Sequence, residues 1–342
     1  MSLEDYLASW ADGDVGRHKV VGAVLGMAAG SRTISELLAR GALAGAMGAT
    51  IGNRGPGNDQ KELDIIANDA ILAALRGAQV AAVVSEEMDE PAVLDAAAPL
   101  LVGVDPIDGS SNIDSNVSIG TIFTVLPADG GAIGAGGFLQ PGTAQLAAGS
   151  FVYGPQTTLA LTVGAGTQVF TLDRGAGAYL MTAEEVQIPL TTTEFAINMS
   201  NYRHWDDAVR IYIDDLLRGT EGPRGQQFNM RWTASPVADI QRILTRGGIY
   251  LYPGDHREGF GEGRLRLIYE ANPLGFLVEQ ASGAAFTDSQ RIMEVPPRSL
   301  HQRVPVIMGS RDEVNFVVRL HAERFPGGEY SPLFARRGLF RI

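Results

Sequence analysis

The chain has 342 residues, of which 45% are hydrophobic and 19% charged, and it carries a formal net charge of −12 with no cysteine. Its length suits two domains sharing an interface, and its composition is that of a globular rather than a disordered chain. The acidity argues against a general nucleic-acid binder, and the lack of cysteine excludes disulfides, thiolate–metal sites, cysteine nucleophiles and thiol redox control.

A small phosphorylated ligand stays compatible with this charge, because a local cation cluster or a bound metal can hold it inside an acidic protein. Glu4, Asp5, Asp12 and Asp14 precede any apolar run, so neither a signal nor a transit peptide is expected. The apolar run from Val20 to Ala29 is too short to span a bilayer. The expected compartment is the cytoplasm, with no membrane and no nucleic acid as partner. Lys19 and Lys61 are the only lysines, so arginine supplies nearly all the positive charge.

Along the chain, helical spacing runs through residues 1 to 50 and predicts a helix over Ser31–Ala49, with a loop over Gly52–Asn58. Leu63–Leu75 reads as a second helix. Gln79–Ser85 reads as a strand ending at Glu86 and Glu87, and Leu100–Val104 as a strand ending at Asp105. From Ser118 to about Leu180 short apolar runs alternate with glycine-rich turns, at 119–126, 133–139, 145–153, 158–163 and 168–173. That pattern predicts an antiparallel meander. Helix–strand alternation then returns, with helices over Asp206–Arg218 and Val237–Gly247 and extended segments at Ile249–Tyr252 and Arg266–Tyr269. The fold class is α+β or mixed α/β. A boundary near 185–195 divides it into residues 1–190, holding helices over a large sheet, and 191–342, holding a smaller mixed sheet.

Three acidic groups follow predicted strands: Glu86 with Glu87, Asp105 with Asp108, and Glu270. Acids after strands are commonly solvated turn residues, and each alone would carry little. The octapeptide Asp105-Pro106-Ile107-Asp108-Gly109-Ser110-Ser111-Asn112 says more. Two aspartates three residues apart, in a turn stiffened by proline, can face one hard cation. Gly109 permits a tight turn, and Ser110 and Ser111 add donors suited to phosphate oxygens. The plainer alternative is an Asx-type turn with capping serines.

The octapeptide resembles the signature of the lithium-sensitive metal-dependent sugar phosphatases, and other stretches resemble the class I fructose-1,6-bisphosphatases in particular. These are Val84–Glu87, Gly248–Pro253, Arg264–Pro273 and His301–Ser310. The resemblance runs from about residue 15 to 320. It implies a layered α/β/α/β/α sugar-phosphatase fold with two sheets, the metal and reacting-phosphate loop in residues 1–190 and the sugar and distal phosphate in residues 191–342. It implies that Glu86, Asp105, Asp108, Glu270 and the Ile107 carbonyl bind Mg²⁺, or Mn²⁺ in its place, with Asp64 near a further metal. Asp69 and Glu87 match a pair that activates the attacking water. Gly109, Ser110 and Ser111, beside Asp108, would hold the leaving phosphate. Asn198, Tyr202, Tyr252 and Arg264 would grip the sugar and distal phosphate, and Arg231 matches an arginine supplied across a subunit interface, in a homotetramer.

The implied activity is hydrolysis of the 1-phosphate of fructose 1,6-bisphosphate, in gluconeogenesis or a carbon-fixation cycle, with sedoheptulose 1,7-bisphosphate as a further substrate. An inositol-type monophosphatase and a catalytically inactive sugar-phosphate binder are the competing readings. The chain departs from the family pattern in places. Arg264 stands where lysine is usual, Trp232 where a phosphate-binding tyrosine is usual, and Asn201 rivals Asn198. Pro99-Leu100 replaces a lysine–tyrosine pair of the AMP site, so weak or absent AMP inhibition is expected. Tyr250 and Tyr252 are expected to divide between inward and outward positions, and Arg264 and Arg266 likewise. His301 is read as structural.

Overall fold

The computed structural model describes residues 1–45, 48–53, 59–128 and 133–323. In chain order the elements are α1 (Leu3–Ala11), α2 (Val15–Arg40), β1 (Thr50–Asn53), β2 (Asp59–Lys61), α3 (Glu62–Leu75), β3 (Val80–Ser85), β4 (Ala92–Val93), β5 (Leu100–Asp108), β6 (Ile119–Pro127), β7 (Ala147–Tyr153), β8 (Thr157–Thr162), β9 (Thr167–Asp173) and β10 (Ala178–Ala183). There follow β11 (Glu194–Ala196), α4 (Asp207–Leu217), β12 (Asn229–Met230), α5 (Pro236–Arg246), β13 (Ile249–Tyr252), β14 (Leu265–Arg266), α6 (Asn272–Gln280), β15 (Ala284–Phe286), β16 (Arg303–Val304), β17 (Val306–Gly309) and α7 (Arg311–Ala322).

Two main sheets organise these elements. The larger has the order β10-β9-β8-β7-β6-β5-β3-β4 and is antiparallel except where β3 runs parallel to β5. The smaller has the order β12-β11-β13-β17-β15 and is mixed. Three apolar layers alternate with the sheets. The first joins α1, α2 and α3 to one face of the large sheet, through residues such as Leu7, Met27, Ile71, Val102 and Phe151. The second is the central layer, where α5 and α6 lie between the sheets, with Val237, Ile240, Leu274 and Leu277 packed on Ile122 and Val152 from one side and Tyr250 and Met308 from the other. The third packs α4 and α7 on the outer face of the small sheet through Val209, Ile213, Val314 and Val317. The result is five layers, α/β/α/β/α. Because both faces of the large sheet are covered, β5 and β3 are buried along their whole length and read as unbroken apolar runs.

Three expected elements differ. The helix expected at Ser31–Ala49 is the 26-residue α2, which starts sixteen residues earlier and ends at Arg40, with Gly41 as its C-cap. Asp14 caps its start by accepting from Gly16 and Arg17 N–H at 2.8 and 3.0 Å. Glycines inside a helix each cost about 1 kcal/mol relative to alanine, which lowers the signal of the first half. Here packing overrides that cost. A Cβ at Gly26 would lie 3.0 Å from Leu75 and one at Gly30 3.3 Å from the Ile71 Cα, so the small residues let α2 approach α3 closely.

The segment expected as a strand at 133–139 contains a 3₁₀ turn at Ala135–Phe138 instead, and the extended segment expected at 266–269 becomes a π-helical turn at Leu267–Ala271. Of the loop expected over Gly52–Asn58, residues 52 and 53 belong to β1 and 54–58 lie outside the described residues. Residues 324–342 also lie outside them. Among the described residues no helix is long and apolar enough to cross a membrane.

Candidate active site

The chain runs apolar through Leu100–Val104 and then carries two acids along the same buried strand. Asp105 pairs with Ile122 of β6 and Asp108 with Gly120, so three steps on β5 face two on β6. This bulge re-aims the side chains at the sheet end, where bulges commonly serve sites. The Ile107 N–H donates to Asp105 Oδ1 at 3.1 Å, and the Pro106 carbonyl accepts from Thr121 Oγ1 at 2.7 Å. Both bonds fix the loop. Gly109 then takes φ +81°, and a Cβ there would lie 2.9 Å from Ser235, so the position has both a conformational and a steric reason to be glycine. Ser110 opens a 3₁₀ turn over Ser110–Ser115, leaving the N–H groups of its first turn without partners in the turn itself.

Carboxylate oxygens of Glu86, Asp105 and Glu270 lie within 4.8 Å of one another. Glu86 follows β3, Asp105 ends the apolar part of β5, and Glu270 sits on the π turn before α6. β3 and β5 run side by side in parallel, with Ser85 paired to Val104, so Glu86 and Asp105 follow at the same level of the sheet. Burial pushes the Asp105 carboxyl well above its usual range, and Glu86, Glu270 and Asp108 push it further. Burial likewise raises Glu270, with Glu86 adding to it. Asp64 on α3 is pushed up to about 7 by burial and by Glu87 and Glu86, and its Oδ1 is buried with no hydrogen-bond partner.

Asp108 is held differently. Its Oδ2 accepts from the Val237 N–H at 2.9 Å and lies 3.5 Å from Ser235 Oγ, so it faces the positive first turn of α5 from the other half of the chain. Burial and Glu86 still push it up to about 7. The α5 entrance is itself anchored: Asp239 accepts from the Thr233 N–H at 3.2 Å, Arg242 reaches Asp239, and Asn112 Nδ2 donates to the Thr233 carbonyl at 3.0 Å.

A cavity of about 180 Å³ opens from this cluster. Glu86, Asp105, Ile107, Asp108 and Glu270 line one end beside Gly109, Ser110 and Ser111, while Tyr252, Phe260 and Arg264 line it further along. Glu87 lies close enough to Asp64 and Asp105 to raise both. Asp69 is exposed on α3, five residues from Asp64 and so roughly 140° around the helix, and it does not line the cavity. Asn198, Tyr202 and Arg231 do not line it either. Asn198 caps a 3₁₀ turn through Ser200, the Tyr202 hydroxyl donates to Asp214 at 2.7 Å, and Arg231 lies 3.4 Å from Glu194 with half its side chain exposed. Asn201 is buried and accepts from Arg257 at 2.9 Å.

Two expectations about strand faces are corrected. Tyr250 and Tyr252 share a face, as residues two apart on a strand must, while Ile249 and Leu251 face α4 and α7. Trp232 stacks on Tyr250 at 5.6 Å and meets Tyr252 edge-on at 5.4 Å. Arg264 and Arg266 likewise both line the cavity. Arg266 was not anticipated as a site residue: its guanidinium lies 2.9 Å from Glu86, and its N–H donates to Glu270 at 2.5 Å. Burial works against its charge, but Glu86 and Glu270 outweigh that and raise its pKa. Arg303 and Phe260 were missed as well, since nothing local in sequence ties either to the acids.

The donor set fits a hard divalent cation. It is all oxygen, buried at Asp105 and Glu270 and half-buried at Glu86, rich in negative charge, and accompanied by an orphaned carboxylate oxygen on Asp64. His301 stands apart from it, accepting from or donating to the Tyr269 hydroxyl at 2.6 Å.

Comparison with known proteins gives the family. Residues 15–184 match the family described as fructose-1-6-bisphosphatase, N-terminal domain, and residues 188–322 match fructose-1-6-bisphosphatase, C-terminal domain. The class 1 fructose-1,6-bisphosphatase of Sinorhizobium medicae is 51% identical over 99% of both chains. That of Xanthobacter autotrophicus is 53% identical over 99% of this chain and 92% of its own. Crystal structures of Leishmania major fructose-1,6-bisphosphatase superimpose over 94% of this chain and 99% of theirs, with TM-scores of 0.87 for the holo form at 33% identity and 0.82 for the apo form at 31%. The fold and the acid-lined cavity thus define a phosphatase, a hydrolase of phosphate esters. More particularly, the chain belongs to the class 1 fructose-1,6-bisphosphatase family.

Proposed function

We propose that the chain hydrolyses the 1-phosphate of fructose 1,6-bisphosphate to give fructose 6-phosphate, with Mg²⁺ as its cation and sedoheptulose 1,7-bisphosphate as a second substrate. The observation that carries this reading is a single cavity with two chemically unlike ends, a buried carboxylate cluster beside the 109–111 loop and an aromatic–arginine wall.

Glu86, Asp105 and Glu270 would hold the cation, with Asp108, the Ile107 carbonyl and Asp64 available around it. Bound there, a divalent cation supplies positive charge to the phosphoryl oxygens and to the leaving alkoxide. The N–H groups and hydroxyls of Ser110 and Ser111 bind the reacting phosphate, and Gly109 lets the loop approach it. Glu87, next to Asp64 and Asp105, takes a proton from the attacking water, a role that suits a carboxylate crowded by others. Asp69 is the second carboxylate proposed for this step. Arg264 and Tyr252 hold the distal phosphate and the sugar, and this remote grip positions the reacting end. Asn198 and Tyr202 are proposed to join them. Arg231, half-exposed and tethered to Glu194, is proposed to reach the cavity of a neighbouring subunit in a homotetramer.

The test is phosphate release from fructose 1,6-bisphosphate, sedoheptulose 1,7-bisphosphate and inositol monophosphate, each with Mg²⁺ and with chelator. The expected result is metal-dependent release from the bisphosphates. Equal or faster turnover of inositol monophosphate would overturn it, as would no turnover at all.

A further inference from the structure

We infer that Phe260 is a positioning residue for the distal phosphate, holding the Arg264 guanidinium flat without consuming any of its donors. The inference rests on the reading of Arg264 as the distal-phosphate grip.

Two arginines flank the same phenyl ring. The Arg264 Cζ lies 3.8 Å from the Phe260 centroid and the Arg257 Cζ 5.1 Å from it. Their charges are treated in opposite ways. Arg257 is neutralised by Asp255, with Nε to Oδ1 at 3.0 Å and Nη2 to Oδ2 at 2.5 Å, and its remaining reach goes to Asn201. Arg264 forms no ion pair with a carboxylate among the described residues; its neighbours are the Phe260 ring and Tyr252, whose ring centroid lies 5.6 Å away and whose hydroxyl shares one side-chain hydrogen bond with it, leaving the rest of the guanidinium edge uncommitted to any carboxylate. One arginine is bound into the loop, and the other is left charged and facing the cavity.

The chemistry explains why a ring suits this place. A guanidinium is planar and carries its N–H donors around its edge, so stacking on an aromatic face restrains the plane and leaves the edge for an anion. A carboxylate partner would restrain it equally but would cancel the charge and compete with phosphate for the same donors. A lysine ammonium has no plane to stack. The ring is itself held by backbone. Phe260 N–H donates to the Arg257 carbonyl, and the Phe260 carbonyl accepts from both Asp255 and Gly263 N–H, at 3.0 to 3.1 Å. Gly263, at φ +81°, packs so tightly that a Cβ would lie 2.3 Å from the Val304 carbonyl oxygen. Phe260 therefore sits on a fastened loop, ahead of a charge that needs orienting.

The reading predicts that Phe260 sets the preference for a bisphosphate over a monophosphate. The experiment measures kcat and KM for fructose 1,6-bisphosphate and for fructose 1-phosphate, which lacks the distal phosphate, in the wild type, Phe260→Ala, Phe260→Tyr and Arg264→Met. The ratio of the two kcat/KM values is the readout. Phe260→Ala is expected to lower it about five- to tenfold, mainly through KM of the bisphosphate, in line with a partly desolvated cation–π contact. Phe260→Tyr keeps the ring and is expected to hold the ratio within about twofold. Arg264→Met is expected to lower it further, about ten- to a hundredfold, as for loss of a charge-assisted bond.

If Arg264→Met lowers the ratio and Phe260→Ala does not, the role of Phe260 is overturned while the distal-phosphate reading stands. An equal loss on both substrates in Phe260→Ala, or a Tyr variant as impaired as the Ala variant, would also overturn it. If Arg264→Met leaves the ratio unchanged, the distal-phosphate reading itself falls.

Discussion

The two ends of the cavity are built on opposite principles. At the acidic end, Asp105, Asp108 and Glu270 are fixed by fully buried backbone, on β5 and on the π turn, and their charges are unfavourable where they stand. At the distal end, Arg264 and Phe260 belong to a partly exposed segment, and the charge is held by ring contacts instead of by counter-ions. The first end is buried and its like charges raise one another, a surplus that a divalent cation would offset. The second is partly exposed and carries a positive charge suited to an anion. The difference shows that buried layers position the chemistry, whereas a partly exposed loop, fastened by its own backbone bonds, carries recognition.

Changes at the acidic end should have the larger effects. Asp105→Asn removes one member of the carboxylate triad and is expected to lower kcat/KM by more than about a hundredfold, beyond the loss common for outer-shell partners of a metal site. Steady-state phosphate release at saturating Mg²⁺ measures it, and a loss under tenfold would mean that the triad is not the centre of the chemistry.

Gly109→Ala tests the backbone of the same end. The residue would be held at φ +81° with its methyl 2.9 Å from Ser235. The left-handed conformation alone costs about 1–2 kcal/mol, and the contact adds to it. Urea unfolding should show at least that loss, together with a raised KM. Unchanged stability would show that the loop relaxes freely.

The charge strain makes a pH prediction. Asp64 and Asp108 titrate near 7 in the folded chain against an ordinary 3.8. Between about pH 4 and 7 the folded state therefore binds more protons than the unfolded, so these groups lower stability as pH rises. A divalent cation competes with those protons. The rise in Tm on adding Mg²⁺ to chelator-treated protein should be larger at pH 8 than at pH 5.5, and equal rises would contradict the strained-cluster picture. The smallest effect is expected away from both ends. Pro99 and Leu100 line a separate cavity of about 630 Å³ with Asp14, Arg17 and Lys19. AMP should inhibit weakly or not at all, and micromolar inhibition in a titration would refute this.

The acidic end was the more legible in sequence, and for a physical reason. Its residues lie in one continuous octapeptide after an apolar strand, so local spacing carries the information. Glu86 and Glu270 could be anticipated as acids after strands, although Glu270 stands on a π turn and not at a strand end. The distal end was less legible. Phe260 gains meaning only through contacts across turns, as does Arg266 at the acidic end, and the shared face of Tyr250 and Tyr252 follows from a strand period of two, against the expectation that they divide. In the fold, the meander and the helices α3, α4 and α5 could be read from apolar periodicity. The first half of α2 could not, because its glycines weaken the local helix signal and pay off only against α3, a contact invisible along the chain. Asn198, Tyr202 and Arg231, taken from the family pattern, do not line the cavity, and each makes another contact.

The account depends most on Glu86, Asp105 and Glu270 acting as one cation site, and Mn²⁺ titration followed by electron paramagnetic resonance addresses that directly. Wild-type protein should bind Mn²⁺ saturably, Mg²⁺ should displace it, and Glu270→Gln should weaken binding by at least about tenfold. Equal Mn²⁺ affinity in the wild type and the Gln variant, with both folded, would contradict the account.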